Sequence, residues 1–289
     1  MIAFADSSLW LRRIRFLRSR TSAYLKGVVL TLGGLAFNVM AASAADEAIS
    51  TDRPDFVESA EVVGKGRFQL ETGFARERGV DSPGVKRQSS STPTLLRFGV
   101  SDGVELRLET DGFLRARFDD GATATVARES GFADLSLGLK WHMQDGDEST
   151  GRPAIAWLLH LDVNSGSAAF RGNGSRPSLR AVVEWELPLG LSVGAMAGVG
   201  ADRGSAGGRF ATGILALTVA RAWTPEFRTF VELAGQRIAS AKNGGSVLSF
   251  DVGAAYLLSH STQVDVAMSR GLTRASPDLQ LTTGLSIRF

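Results

Sequence analysis

The sequence contains no cysteine and only three histidines, which excludes disulfides and thiol chemistry and leaves few metal ligands. His142, His160 and His260 do not have the spacing of a zinc site. The glycines of residues 172–174 and 207–208 lie in loop-like stretches that no helix follows, so they do not form a phosphate-binding turn. We therefore predict no catalytic site, no metal site and no cofactor.

Long apolar runs are also scarce. One lies near the N-terminus, there is no second, and a mean hydropathy of +0.03 with 21% charged residues excludes a helical membrane protein. The formal charge of the whole chain is +2, but six of its 32 basic residues and one of its 30 acidic residues lie in the first 45 positions. The remainder has about three more acidic than basic residues, so a nucleic-acid partner is not indicated.

The N-terminal region has the three parts of a secretory signal. Lys26 precedes an apolar run over residues 27–40, and residues 41–45 read Ala-Ala-Ser-Ala-Ala. A positive charge, a short apolar stretch and small residues are typical of a signal peptide that is cleaved after export, here after Ala44 or Ala45. We assign residues 1–45 to an N-terminal extension and signal peptide. A retained membrane anchor is the alternative, and Asn38 argues against it.

Residues 46–66 form a polar segment of mixed charge that precedes the first strand. Pro54 lacks an N–H donor and apolar alternation is missing, so the segment is not a central strand. Two alternatives remain open. The segment is either a solvated periplasmic linker, or a partial plug in which Asp52, Arg53 and Asp55 pair with charges in a barrel lumen.

Residues 67–289 are a succession of alternating segments of about ten residues, separated by Gly, Ser, Asp, Asn and Pro. This predicts an all-β domain, an antiparallel up-and-down transmembrane β-barrel of about twelve strands. The predicted strands are 67–76, 92–100, 104–115, 132–143, 154–164, 178–187, 191–201, 210–221, 227–238, 248–258, 262–269 and 279–289.

The connections between these strands alternate in length. Long ones at 77–91 and 116–131 flank a short one at 101–103, and the tight turn 188–190 follows the longer stretch 165–177. Outer-membrane barrels have short periplasmic turns and longer outer loops. The exception is 144–153, which is long where a short turn is expected.

The two faces of each predicted strand differ in polarity, because side chains alternate across a strand. In the last strand Leu281, Leu285 and Phe289 face one way, and Gln280, Ser286 and Arg288 the other. A soluble sandwich permits the same alternation, but a signal peptide with an even strand count favours a barrel, the β structure that satisfies all backbone groups in lipid. The predicted lipid-facing side chains include Leu106, Leu108, Leu135, Leu137, Leu139, Trp141, Trp157, Leu159, Leu161, Val183, Trp185, Val193, Val231, Leu233, Val252, Tyr256, Val264, Val266 and Met268.

The inward face carries charges of both signs. These charges either set a selectivity field for a solute or pair across strands and fill a narrow lumen, and the second alternative is favoured because acids and bases intermingle. His160 and Asp162 are expected to form an ordinary lumen pair. The lumen and selectivity candidates are Arg97, Glu105, Arg107, Glu109, Lys140, His160, Asp162, Arg180, Glu184, Arg228 and Glu232.

Three stretches resemble one family. Thr51-Asp52-Arg53-Pro54-Asp55, then Glu58-Ser59, then residues 66–73 (Gly-Arg-Phe-Gln-Leu-Glu-Thr-Gly) are similar to the phenol meta-pathway degradation family of outer-membrane transporters. The last six residues, Gly-Leu-Ser-Ile-Arg-Phe, resemble the C-terminal signal that the barrel-assembly machinery recognises. The resemblance implies a barrel that passes small, in particular aromatic, compounds. It carries over no functional residues.

These observations lead to a monomeric barrel in the outer membrane of a Gram-negative bacterium, in contact with outer-membrane lipid, that conducts or binds a small solute. Two alternatives remain. One is a non-conducting structural or adhesive barrel whose long loops bind a partner. The other is a soluble periplasmic β-barrel that binds an apolar ligand.

Overall fold

The computed structural model describes residues 48–204 and 207–289, so the predicted signal peptide lies outside the described residues. The described chain folds into one antiparallel sheet that closes on itself. Its β segments are β1 (Phe68–Ser82), β2 (Val85–Ser91), β3 (Thr94–Ser101), β4 (Val104–Thr110), β5 (Phe113–Asp120), β6 (Thr125–Phe132), β7 (Leu135–Gln144), β8 (Ala154–Val163), β9 (Arg176–Leu187), β10 (Leu191–Arg203), β11 (Arg209–Ala222), β12 (Phe227–Ile238), β13 (Val247–Ser259), β14 (Thr262–Gly271) and β15 (Leu279–Arg288).

The first and last strands close the sheet. β1 pairs with β15 from Gln69 opposite Arg288 to Arg78 opposite Leu279, and the remaining strands pair in sequence around the ring β1, β3, β4, β7 and β8 to β15. This is a closed barrel of twelve strands, which confirms the predicted fold class and strand number. Phe68 and Phe289 exchange backbone hydrogen bonds (2.8 and 3.3 Å), and their rings lie 6.1 Å apart.

Three of the twelve strands are interrupted on the same side of the barrel. β2 and β3 are separated at Thr92 and Pro93, β4 and β5 at Asp111 and Gly112, and β6 and β7 at residues 133–134. Pro93 cannot donate to the ladder, and Gly112 has a φ of +70°, a value that favours glycine. The interruptions leave β2, β5, β6 and the end of β1 as a four-stranded sheet above the barrel, here called the outer extension.

The outer extension corrects two predicted loops. Residues 77–91 form the β1–β2 hairpin, which turns at Pro83 and Gly84, and residues 116–131 form most of the β5–β6 hairpin. The β1–β2 hairpin is polar on both faces, and in the β5–β6 hairpin the apolar alternation is confined to the short stretch Leu114, Ala116 and Phe118, so neither has the ten-residue pattern used to find strands.

The two faces of the wall differ sharply in exposure. The outward Leu137 is 52% exposed, whereas the inward Lys140 is 0% exposed. Outward apolar side chains recur on neighbouring strands around the barrel, and the charged ones point inward, the arrangement of a lipid-facing barrel. The protein is therefore an outer-membrane barrel of a Gram-negative bacterium, and the soluble periplasmic alternative is wrong. No helix among residues 48–204 and 207–289 is long and apolar enough to cross a bilayer.

Short connections lie at the end that carries Phe68 and Phe289, here called the inner end and assigned to the periplasm. They include residues 102–103, 188–190 and 260–261. Longer connections and the outer extension lie at the opposite, outer end. The connection 145–153 is long although it lies at the inner end, so it remains an exception to the length rule.

We expect Leu137→Arg to destabilise the folded barrel by about 2–4 kcal/mol, because it places a charge near the middle of the lipid-facing band. Urea unfolding of protein folded into lipid vesicles measures the effect. The matched control is Leu189→Arg, since Leu189 is 81% exposed in an inner-end turn. Equal unfolding free energies for the two variants would contradict the lipid-facing assignment of Leu137.

Candidate functional site

Residues 48–63, here called the luminal segment, lie inside the barrel. The segment begins near the inner end, where the Ile49 N–H donates to the carbonyl of His260 (2.8 Å). It has no helix or strand, so its backbone groups need partners from the wall. Inward polar side chains of β1, β3, β4, β7, β9, β12 and β14 contact the segment. The segment also contributes Val57 and Ala60 to the main cluster of buried apolar residues, which includes side chains of β8, β10 and β11.

Wall carboxylates bind the backbone of the luminal segment. Each accepts hydrogen bonds from N–H groups spaced along the segment, so the wall holds the chain largely independently of its side chains. The acceptors and donors are Glu71 with Asp52 N–H (3.1 Å), Glu232 with Phe56 N–H (2.8 Å) and Val57 N–H (2.7 Å), Glu184 with Ala60 N–H, and Glu105 with Val63 N–H (3.0 Å).

Asp52 lies at the centre of a buried cluster of cations. Its carboxylate accepts hydrogen bonds from Lys140 Nζ (2.9 Å) and from Arg107, and Arg97 lies 3.7 Å away. Burial alone would raise the pKa of the Asp52 carboxyl, but the charges of Arg97, Lys140 and Arg107 outweigh burial and hold the pKa well below its usual range. Asp52 is therefore ionised at neutral pH and holds the segment against three strands of the wall.

Glu58 forms a second anchor. Its carboxylate pairs with Arg107 (2.8 Å) and with Arg180, so it bridges β4 and β9. Burial raises the pKa of Glu58, but the charges of Arg107 and Arg180 lower it to about 2. Because Arg107 contacts both Asp52 and Glu58, the two anchors share one guanidinium.

Arg53 and Asp55 pair with the opposite side of the wall. Arg53 contacts Asp265 of β14 (3.0 Å), and Asp55 contacts Arg228 of β12 (3.0 Å). The Arg53 guanidinium lies over Gly73 and Gly284, which face each other on β1 and β15, and a Cβ at either position would collide with it. These two glycines therefore make room for Arg53 at the seam where the barrel closes.

Ion pairs within the wall complete the filling of the inner half of the lumen. Arg97 contacts Glu71 (3.0 Å) and Glu105 (2.9 Å), and all three side chains have no exposure. Buried ions are stable when each is paired and hydrogen-bonded, as these are. The inner half is thus occupied by the luminal segment and its ion pairs.

The outer half of the lumen is open. Two adjoining cavities of about 240 and 90 Å³ share Glu109, Asp111, Arg180 and Arg237 in their linings, and together they are called the outer chamber. Phe56 of the luminal segment lines the larger cavity. The chamber therefore ends at the luminal segment, where apolar and charged surfaces meet.

Two predicted lumen residues differ from their expected pairing. His160 is buried, and neither ring nitrogen has a hydrogen-bond partner among the described residues; its nearest carboxylate is Glu109, 3.8 Å away. Asp162 instead lies 3.5 Å from Arg176. The expected pair of His160 with Asp162 is therefore wrong, because Asp162 lies beside the Arg176 guanidinium, which also bonds Asp134 (2.9 Å).

The remaining predicted lumen candidates all face inward and divide between the two halves of the lumen. The group that contacts the luminal segment consists of Arg97, Glu105, Arg107, Lys140, Arg180, Glu184, Arg228 and Glu232. Glu109 faces the outer chamber. In the part of the chain that the structure describes, no three His, Asp or Glu side chains are placed to hold a metal ion.

Glu58, Glu71 and Asp265 also take part in this site, although the sequence did not single them out as partners of the luminal segment. Glu71 and Asp265 are single charges in ordinary alternating strands, and the sequence does not indicate that they face the same segment. Glu58 does follow the motif of residues 51–55, so its position was an available signal.

Fold and lumen together define the class, an outer-membrane β-barrel with an internal N-terminal segment. A family model described as "Putative MetA-pathway of phenol degradation" matches residues 51–289, and the chain belongs to that family. No sequence among the curated proteins is similar enough to count as a match.

Several solved structures are similar to the described chain. An outer membrane channel from Pseudomonas putida F1 is 15% identical with a TM-score of 0.58, and the match covers 80% of this chain and 98% of that one. The KdgM porin in complex with disordered oligogalacturonate is 9% identical (TM-score 0.49; 76% and 99% covered). The toluene transporter TbuX from Ralstonia pickettii is 9% identical (TM-score 0.42; 78% and 89% covered). At these identities the first likeness establishes the fold alone, and the other two support no inference.

We expect Asp52→Asn to release the luminal segment, because it leaves three buried cations without their shared carboxylate. Removing one partner of a buried ion pair costs about 3 kcal/mol or more, which is roughly 100-fold in the release equilibrium. Val57→Cys provides the reporter, since the chain has no cysteine and Val57 is 4% exposed. The measurement is the rate of maleimide labelling of Cys at that position in refolded protein.

The matched control for this comparison is Glu61→Gln, because Glu61 lies in the same segment with an exposed side chain. Its labelling rate should equal that of the parent. If Asp52→Asn did not change the labelling rate, the anchoring role of Asp52 would be contradicted.

The anchors also predict a pH dependence. A carboxyl with a lowered pKa stabilises the folded arrangement above its ordinary pKa, and that stabilisation is lost as the pH falls toward the lowered value. For Glu58 the window runs from about 4.5 down to about 2. We expect pepsin to cleave near Phe56 faster as the pH falls through this window. The cleavage rate is divided by that of an unstructured substrate at the same pH, which removes the pH dependence of pepsin itself. In Glu58→Gln the release should already be evident at pH 5, and identical profiles for variant and parent would rule the anchor out.

Proposed function

We propose that the protein is an outer-membrane channel or transporter for small solutes, in which the luminal segment closes the inner half of the pore. The observation that carries the proposal is the combination of an open outer chamber with an inner half occupied by a segment that wall carboxylates and ion pairs hold. Membership in the family and the channel fold support it. Passage then requires that the segment move, so the pore is closed at rest.

The contacts of the luminal segment indicate that it can leave the lumen rather than block it permanently. Most of its contacts are ion pairs and hydrogen bonds, which water can replace once the lumen is hydrated, and few are apolar. Gly64 and Gly66, both with positive φ, join the segment to β1 and allow the chain to change direction there. Release can therefore occur without breaking the barrel ladder.

Small aromatic compounds are the solute class we propose. The family description refers to phenol degradation, and the outer chamber combines Phe56 and Leu114 with the cations Arg180 and Arg237. A ring that carries a carboxylate fits this lining, because its faces meet apolar groups and its charge meets a guanidinium.

Liposome swelling tests the proposal with 4-hydroxybenzoate and with cyclohexanecarboxylate as the size-matched non-aromatic anion. We expect the parent protein to admit the aromatic anion several-fold faster, and a variant that lacks residues 48–63 to admit both anions rapidly and to give larger single-channel conductance. Absence of permeation and of binding for both proteins would remove the transport proposal.

A second candidate function is a non-conducting structural or adhesive barrel that binds a partner through its outer loops. The filled inner half of the lumen and the protruding outer extension favour it. The two functions differ in one outcome: a structural barrel admits neither anion until the luminal segment is deleted, whereas a transporter admits the aromatic anion with the segment present. Recognition of the last strand by the barrel-assembly machinery and a monomeric state remain predictions.

A further inference from the structure

A concentrated basic surface lies on the outward face of the outer extension, away from the lumen. Three rows of directly paired residues cross its four strands, and six of the twelve positions are basic. The rows are Arg76, Ser90, Arg115 and Ser130; Arg78, Gln88, Arg117 and Arg128; and Val80, Lys86, Asp119 and Val126. We call this surface the basic face.

The basic face has little internal neutralisation. Among the residues that the structure describes, Arg117 is the one of the six with a carboxylate at ion-pair distance, that of Asp119 at 3.3 Å, and both side chains are about half exposed. Like charges directly opposite each other on neighbouring strands destabilise a sheet, as for Arg117 and Arg128. An anion bound from outside would offset this repulsion.

An aromatic row lies immediately below the basic face, on the same outward side. Phe74 and Phe132 are 49% and 62% exposed, and the ring of Phe113 packs edge-on against Phe132 at 5.2 Å. The Arg115 guanidinium lies 5.5 Å from the centre of the Phe113 ring. Aromatic side chains mark the level at which a bilayer changes from hydrocarbon to headgroups. The cations therefore lie at the headgroup level of the outer leaflet.

Below the aromatic row the outward face becomes apolar. Leu108 and Leu135 lie closer to the middle of the bilayer than Phe113 and Phe132. From the middle of the bilayer outward, the wall therefore presents apolar side chains, then aromatic rings, then cations. The order matches a lipid that carries acyl chains below and phosphates above. A soluble phosphate compound would use the cations but not the rings or the apolar surface.

We propose that the basic face binds the phosphorylated headgroup of an outer-leaflet glycolipid of the lipid A type, an acylated disaccharide with a phosphate at each end. Adjacent strands are about 4.8 Å apart, so four strands span roughly 14 Å, enough to reach two phosphates across a disaccharide. Arginine predominates among the six cations, and its planar guanidinium binds phosphate through two hydrogen bonds.

The test uses full-length protein refolded in detergent and titrated with bisphosphorylated or fully dephosphorylated lipid A. We expect the parent to bind the dephosphorylated lipid at least about tenfold more weakly. The triple variant R76Q/R115Q/R117Q should lose a similar factor for the bisphosphorylated lipid. The matched control R152Q/R171Q/R209Q removes three exposed arginines elsewhere on the surface and should bind within twofold of the parent.

Three outcomes would overturn the proposal. The first is equal affinity of the parent for the two lipids, which would mean that acyl chains alone carry binding. The second is equal loss in the triple variant and its control. The third is displacement of the lipid by inorganic phosphate at matched concentration, which would mean a site for free anions. Heat-modifiable migration in gels checks folding, and if the triple variant does not fold, the comparison of the two lipids on the parent still decides.

Discussion

A backbone in hydrocarbon has no water to bond to, and that constraint governs the architecture of this protein. Every N–H and C=O at membrane depth must find a partner in the next strand, so the sheet has to close. The partners at the closure are β1 and β15, and the pairing runs through the full length of β15, from Leu279 to Arg288. The rest of the structure depends on this seam, because an open edge would expose ladder groups to lipid.

The seam also ties the wall to the lumen. Gly73 and Gly284 meet across it, and the space that they leave is occupied by Arg53 of the luminal segment. Gly73 and Arg53 lie within the stretches that carry the family resemblance, whereas Gly284 is the first of the last six residues. Part of the resemblance therefore coincides with a physical fit in which small residues of the wall leave space for one long side chain of the segment.

Burial dictates the composition of the lumen. A lone ion in such a place would be costly, and the charges of the inner half pair within the wall or with the luminal segment, as Arg97 and Arg107 do. Wall carboxylates that look like excess negative charge bind backbone N–H groups, as Glu232 does with Phe56 and Val57. Mixed charge in the lumen is thus the consequence of holding an irregular chain inside a barrel.

The barrel was predictable from sequence wherever apolar and polar residues alternate, because the alternation shows which face of a strand is apolar. Leu137 and Lys140 stand on opposite faces in the sequence pattern and in the structure. The two hairpins of the outer extension escaped this signal, because their apolar residues are few and do not alternate over a full strand length. The pairing of His160 was wrong for a different reason. His160 and Asp162 are two residues apart on one strand, and this spacing does not reveal which residues of the next strand lie nearby. Arg176 of β9 lies next to the Asp162 carboxylate that His160 was expected to contact.

The three strand interruptions lie in neighbouring strands, so they form a crease across one quarter of the wall. β1 continues without a break from the barrel wall into the outer extension, and irregular hydrogen bonds, such as Gly73 N–H to the Pro93 carbonyl (3.0 Å) and Ala133 N–H to the Gly112 carbonyl (2.9 Å), bridge the interruptions. The entrance is therefore asymmetric, because the outer extension stands over one quarter of the wall while the strands from β8 to β14 end in loops. A molecule that arrives from outside meets a β-sheet on one side of the entrance and loops on the other.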